Sequence, residues 1–229
     1  MLLHHQFVRT AKQHAGKIAI KDRTTQSEIT YQRALIGALI LSKKLDKYDP
    51  GYIGIMIPTS AGAALATAGA LMSGRVPVMI NYSTGAERNS RYAQEKCGFK
   101  TIITSGKLLE KIQCPAIDGM ILIEDIMKTV STFDKLSAAL RTKLSTGMIL
   151  KSVHGGEEND TAAILFTSGS EKDPKAVQLS HRNIFSNIQS FSEHLGVHES
   201  DILLANLVFF HIFGLTVNLW VSFVKGMTM

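Results

Sequence analysis

The sequence predicts an α/β fold with a largely parallel sheet flanked by helices. Three observations carry this. Short apolar runs of strand length alternate with helical patterns along most of the chain. The span from Tyr52 to Ile80 reads strand–helix–strand over about thirty residues, the length of a parallel pair joined by a right-handed crossover. The chain has 229 residues, 45% hydrophobic and 19% charged, which is ordinary globular composition and enough for one sizeable core.

Residues 4–15 read as a helix with Phe7, Val8 and Ala11 on one side, and Lys17–Lys21 as a strand. Thr24 to Ser27 form a turn, and Ile29-Thr30-Tyr31 leads into a helix reaching about Leu45, with Leu35, Ala38, Leu39 and Leu45 at helical spacing. After the turn signal Tyr48-Asp49-Pro50-Gly51, Tyr52–Ile57 is a buried strand ended by Pro58. Thr59 or Ser60 caps the helix Ala61–Met72, whose Ala and Gly content and near absence of charge call for close packing. Gly74 ends it. Val76–Ile80 is the next strand, followed by a helix over Glu87–Cys97, a strand over Lys100–Thr104, a short helix over Lys107–Ile112, a strand over Met120–Ile123 and a helix over Ser131–Leu144. Residues 145–160 read as a loop with few apolar anchors. Beyond it come the strand Ala162–Phe166, a returning strand at Val177–Leu179, a Ser180-capped helix near Arg182–Leu195, a polar turn, the apolar run Ile202–Phe210 and a further helix after Gly214.

The net charge of +6 is scattered, with no block of like charges, so a nucleic-acid partner is not expected. Cys97 and Cys114 lack metal or redox spacing and suit a reducing cytoplasm. The longest apolar region, Leu203–Val224, is interrupted by Asn206, His211, Gly214 and Asn218, which argues against a spanning helix and leaves room for peripheral membrane contact. His194 and His198 flank Gly196 and read as a helix end rather than zinc ligands, so no metal site is expected. Asp22, Glu124 and Asp125 read as ordinary loop or strand-end carboxylates.

The stretch that carries chemistry follows Phe166. Thr167, Ser168, Gly169 and Ser170 are small and hydroxylated, and such a turn makes a concave nest for an anion. Lys175 supplies a positive charge just past it, after Pro174. The physical reading is a phosphate-binding hairpin, although neither the P-loop nor the dinucleotide glycine pattern is present.

Thr167–Lys175 resembles the signature loop of the adenylate-forming, AMP-binding superfamily, Thr-Ser-Gly-Ser/Thr-Thr-Gly-x-Pro-Lys-Gly. Thr167, Ser168, Gly169, Ser170, Pro174 and Lys175 match; Glu171, Lys172 and Ala176 depart from it. Leu207-Val208-Phe209-Phe210-His211-Ile212-Phe213-Gly214-Leu215 resembles a second motif of that superfamily, with Val208 in place of Pro. Ile18-Ala19-Ile20 with Ile29-Thr30-Tyr31, and Tyr52–Ala70, also fit. Arg75–Gly85 looks like the bacterial acyl-[acyl-carrier-protein] synthetases, often fused to 2-acylglycerophosphoethanolamine acyltransferase.

The resemblance implies a cytoplasmic, in a bacterium inner-membrane-associated, ligase. It would activate a fatty acid with ATP and Mg2+ as an acyl adenylate and pass the acyl group to the thiol of acyl carrier protein. CoA as the acceptor is the alternative, and a truncated non-catalytic binding module is another. Thr167, Ser168, Gly169, Ser170, Glu171, Lys172 and Lys175 would hold the ATP phosphates. Phe210, His211, Phe213 and Gly214 would shape the acyl and adenylate pocket. The resemblance also implies that residues 1–229 are the N-terminal portion of an adenylation domain. The magnesium-binding Glu motif, the ribose-binding Asp and the small C-terminal domain with its lysine are not found, so no complete catalytic set is expected and the piece alone is expected to have little ligase activity.

Overall fold

The computed structural model describes residues 1–23, 25–167 and 174–229. α1 (Leu3–Gln13) precedes an antiparallel ribbon of β1 (Ile18–Asp22) and β2 (Ser27–Thr30), then α2 (Tyr31–Leu45). There follow β3 (Tyr52–Met56), α3 (Ala61–Met72), β4 (Val76–Met79), α4 (Ala86–Cys97), β5 (Ile102–Thr104), α5 (Gly106–Lys111) and β6 (Met120–Leu122). Next are α6 (Ile123–Lys128), α7 (Thr132–Arg141) and α8 (Thr146–Lys151). The chain then forms the hairpin of β7 (Thr161–Phe166) and β8 (Ala176–Ser180), α9 (His181–Leu195), a π-helix over Gly214–Val221 and α10 (Ser222–Lys225). Among the described residues the main sheet has the order β6-β5-β3-β4-β7-β8, parallel except for the β7–β8 pair.

Both faces of this sheet are covered, which is why its strands are apolar without alternation. Ile53 and Ile55 of β3, Met79 of β4 and Leu165 of β7 join a core with Phe7, Leu39 and Leu71. Met56, Val78 and Ile164 join a second core with Ala93, Leu108 and Leu109. Pro77 sits inside β4, a central strand, without breaking it. Val76 and Ile80 donate toward β3, so the missing N–H of Pro77 falls on the β7 side, where pairing starts only at Val78.

The Ala-rich helix packs as its composition demands. A Cβ on Gly69 would lie 2.9 Å from Leu41 Cβ and 3.1 Å from the backbone oxygen of Ala38, so α3 touches α2 almost backbone to backbone. Its amino terminus is capped by Ser60 and also by Asp22, whose carboxylate accepts the Ala61 N–H at 2.9 Å. Asp22 is therefore a buried helix-terminal anion rather than an ordinary loop carboxylate.

Several expectations are corrected. Residues 145–160 contain α8: Ser145 caps it and Ile149 is fully buried. Ile123 opens α6 rather than ending a strand. The helix expected after Gly214 is a π-helix for its first eight residues.

The first helix is docked by histidines. Nε2 of His4 and of His5 each lies 2.9 Å from the carbonyl oxygen of His154, and the Leu3 N–H donates to Nδ1 of His181 at 3.2 Å. Burial pushes His4 down to about 3 and His181 to about 4 from the ordinary 6.5. The neighbouring histidines and, for His181, the terminal ammonium add to this, while the His154 carbonyl opposes it at His4 and Asp160 opposes it at His181.

Two outcomes are expected. Below pH 6.5 the unfolded chain takes up protons that these two folded rings refuse. Stability present above that pH is thus lost as pH falls toward the folded values, by up to ~1.4 kcal/mol per pH unit for each ring. Urea midpoints measured against pH will show the decline, and His4→Gln will shallow its slope by about half. Gly69→Val will cost ~1–3 kcal/mol in urea unfolding through overpacking. Gly147→Ala on α8, where a Cβ meets nothing within 4 Å, will be neutral or stabilising by up to ~1 kcal/mol.

Candidate active site

Open α/β sheets bind ligands beyond the carboxyl ends of their strands, and that edge here holds a cavity of about 520 Å3. β4 runs into Ile80 and Asn81 at its floor, and β7 into Phe166 and Thr167. The segment after Phe209 supplies Phe210, His211 and Ile212, while α4 supplies Arg88, Asn89 and Tyr92.

The hairpin mouth forms one wall. Thr167 N–H donates to the Lys175 carbonyl at 3.0 Å, and Lys175 N–H donates to Thr167 Oγ1 at 3.2 Å. The hairpin is therefore closed at Thr167 and Lys175. The Tyr92 hydroxyl donates to the Pro174 carbonyl at 2.9 Å, and its ring meets Phe166 edge-on. Of the proposed phosphate-loop residues, Thr167 lines the cavity and Lys175 is exposed at the mouth. Ser168, Gly169, Ser170, Glu171 and Lys172 lie outside the described residues.

The facing wall hangs from one carbonyl. Leu207 O accepts from Thr59 Oγ1 and Asn218 Nδ2, each at 3.0 Å. Phe210 packs edge-on against Tyr82, whose phenol burial pushes upward while a backbone hydrogen bond from Thr59 opposes. His211 lines the cavity, and its Nδ1 accepts the Phe213 N–H at 3.3 Å, so in the neutral ring the proton sits on Nε2. Phe213 and Gly214, expected in the same pocket, do not line it. The Phe213 ring meets Phe191 of α9, and Gly214 is buried where a Cβ would fall on the Val208 carbonyl. Gly214 is required by that crossing of the chain.

The polar groups divide into two sets. Asn89 Nδ2 donates to the carbonyls of Asn81 and Thr84, Asn81 Oδ1 accepts the Ser83 N–H, and the Tyr92 hydroxyl holds Pro174. These groups shape the wall. Among the described lining residues Asn89 Oδ1 is an acceptor without a protein partner, and the side-chain donors left without one are Asn81 Nδ2, the Arg88 guanidinium, His211 Nε2 and the hydroxyl protons of Thr84 and Thr167. One of these donors is a permanent cation, and no carboxylate is among the described lining residues. The lining suits an anion with an apolar body.

Asn81, Thr84, Arg88, Asn89 and Tyr92 line the cavity and were not singled out as candidates from the sequence. Arg88, Asn89 and Tyr92 share one helical face within a turn, directly after a strand end, and that polar face was the available signal.

The sequence model of a family described as AMP-binding enzyme matches residues 7–229. The chain is 24% identical over 202 residues to a bassianolide nonribosomal cyclodepsipeptide synthetase of Beauveria bassiana, covering 87% of this chain and 6% of that protein. It is 24% identical over 237 residues to 4-coumarate–CoA ligase 1 of Petroselinum crispum, covering 99% of this chain and 42% of that protein. Among solved structures, o-succinylbenzoate CoA synthetase (MenE) of Bacillus subtilis superposes with a TM-score of 0.76 at 20% identity, over 97% of this chain and 54% of that one. The chain thus spans well under half the length of these curated relatives. With a family match across nearly all residues and a donor-lined cavity at the carboxyl edge of an α/β sheet, the chain belongs to the AMP-binding enzyme family.

Proposed function

We propose that this cavity serves the ATP-dependent activation of a carboxylic acid. A carboxylate oxygen attacks the α-phosphorus of ATP, the bond to the β-phosphate oxygen breaks, and acyl adenylate and pyrophosphate form. A thiol then attacks the acyl carbon, AMP leaves with the bonding electrons, and the thiol proton passes to solvent. The observation that carries this reading is the cavity lining: unpartnered donors including Arg88, together with Ile80, Leu165, Phe166, Phe210 and Ile212, and no carboxylate among the described lining residues. Such a surface suits a phosphate-linked acid with a hydrocarbon body, and we take a fatty acid as the substrate class.

The roles follow from what each group has left to offer. Thr167 keeps its hydroxyl proton for a phosphate oxygen after accepting from Lys175. Lys175, exposed at the mouth, would offset charge on the departing pyrophosphate. His211 would donate from Nε2 to the carboxylate or its adenylate ester. A MenE structure is described as holding ATP and magnesium ion. Mg2+ would supply charge neutralisation at the phosphates, but among the described residues no group of three or more His, Cys, Asp or Glu could hold a metal.

The names of the CoA ligases and synthetases among its relatives support CoA as the acceptor. The Arg75–Gly85 resemblance supports a second reading, carrier-protein phosphopantetheine. We take the setting to be the cytoplasm, where either thiol would stay reduced.

Titration calorimetry tests the site without requiring turnover. A linear acyl-sulfamoyl adenosine, a stable adenylate mimic, is expected to bind the chain. Arg88→Ala and His211→Ala are each expected to weaken it about ten- to a hundredfold through loss of a charge-assisted or buried hydrogen bond. Lys175→Ala is expected to weaken ATP by about tenfold and leave the mimic unchanged. No binding of the mimic up to its solubility limit would overturn the assignment. For the acceptor, supplied acyl adenylate is expected to yield more thioester with CoA than with holo-carrier protein; the reverse order assigns the carrier protein.

A further inference from the structure

One helix turns its apolar side to solvent. α7 packs inward through Ala138 and the following Thr142, which are 5% and 4% exposed. Its opposite face presents Phe133, Leu136 and Leu140 at 71%, 57% and 60% exposure, continued at one-turn spacing by Leu144. These side chains border a shallow trough of about 310 Å3 with Ser137 and Arg141. An apolar stripe of this kind on a surface helix marks an interaction site.

The surrounding charge selects the partner. Residues 124–151 hold five cations, Lys128, Lys135, Arg141, Lys143 and Lys151, against three acidic residues, Glu124, Asp125 and Asp134, and Lys128 is paired with Asp125 at 2.8 Å. Asp134 is already engaged: it accepts from Ser131 N and Oγ and lies 2.8 Å from Lys44 and 3.4 Å from Lys43. Lys43 also sits 5.9 Å over the Phe133 ring, which places another cation at the rim of the stripe. By helical phase Lys143 borders one side of the stripe and Arg141 the other, while Lys135 lies toward the Ala138 side. A helix with Phe and Leu on one face and cations along its flanks matches the boundary between anionic headgroups and acyl chains. A second copy of the chain fits less well, because a two-fold contact would set these cations against their equivalents.

We propose that the Phe133–Leu144 face of α7 docks on an anionic lipid surface, with the helix lying in the interface plane and its flanking cations on the headgroups. Among the described residues no helix is long and apolar enough to cross a membrane, so this contact is peripheral. It does not depend on the reading of the cavity.

Co-sedimentation of the chain with vesicles tests it. Binding is expected to phosphatidylcholine vesicles containing phosphatidylglycerol, falling about tenfold or more on phosphatidylcholine alone and falling again with added salt. Phe133→Ser combined with Leu140→Ser, at exposed positions, is expected to abolish binding while circular dichroism is unchanged. Lys43→Glu combined with Lys143→Glu is expected to lose the preference for anionic vesicles. Absence of binding by the unaltered chain, equal binding to both vesicle types, or binding indifferent to both variants overturns the proposal. So does a dimer in analytical ultracentrifugation that Phe133→Ser with Leu140→Ser dissolves, which assigns the stripe to a second copy.

Discussion

The site depends on the pair of hydrogen bonds that closes the β7–β8 hairpin between Thr167 and Lys175. Below it the ladder runs without interruption through Phe166–Ala176, Leu165–Val177 and Ile164–Gln178. β7 in turn pairs with β4 at the centre of the sheet. Thr167 and Lys175 are therefore joined through that ladder to the centre of the sheet. Tyr92 reinforces the closure from outside the hairpin by holding the Pro174 carbonyl.

The facing wall solves a different problem, because the segment over Leu207–Phe213 has no sheet to support it. Thr59, next to the α3 cap, and Asn218, one turn into the π-helix, both donate to Leu207 O. That carbonyl is the point at which the motif is fastened to the body. Gly214 then allows the chain to turn beneath Val208 at a distance no side chain permits, and the His211 carbonyl accepts the Leu215 N–H at the start of the π-helix. The irregular winding and the glycine are consequences of the same tight crossing. They set where His211 stands relative to the hairpin mouth.

The alternation of strands and helices was legible because each long element carries its own period, as in α2 with Leu35, Ala38, Leu39 and Leu45 buried. The hairpin was legible for the same reason, with two apolar runs around a small-residue turn. α6 and α8 were not. Each has six residues and a single fully or nearly buried side chain, Ile126 or Ile149, which is too short for periodicity to register, and the Ser, Thr and Gly that start α8 resemble a loop. Asp22 could not be recognised as a cap because the amide it holds is 39 positions away. In the site, Thr167, Phe210 and His211 were found by motif, whereas the α4 residues arrive through tertiary packing. Phe213 and Gly214 were placed in the pocket because they adjoin His211 in sequence. The turn into the π-helix separates them from it in space.

What distinguishes the cavity from an ordinary surface cleft is the division of its polar groups. Asn89 and Tyr92 border the space as Arg88 does, but their donors are satisfied by backbone carbonyls, so they hold shape and offer little affinity. Arg88, His211, Asn81, Thr84 and Thr167 have the opposite character among the described residues: each has a donor with no protein acceptor. In an empty cleft water satisfies these donors and screens the guanidinium. A ligand whose apolar body covers Ile80, Phe166, Phe210 and Ile212 removes that water, and the lowered local dielectric then strengthens every contact to its anionic end. Free inorganic phosphate reaches the donors but leaves the apolar wall wet, and a neutral hydrocarbon covers the wall but leaves the donors unpaired at a cost. A molecule with both parts gains from both surfaces at once, which is why the proposed acyl adenylate fits the lining better than either component alone.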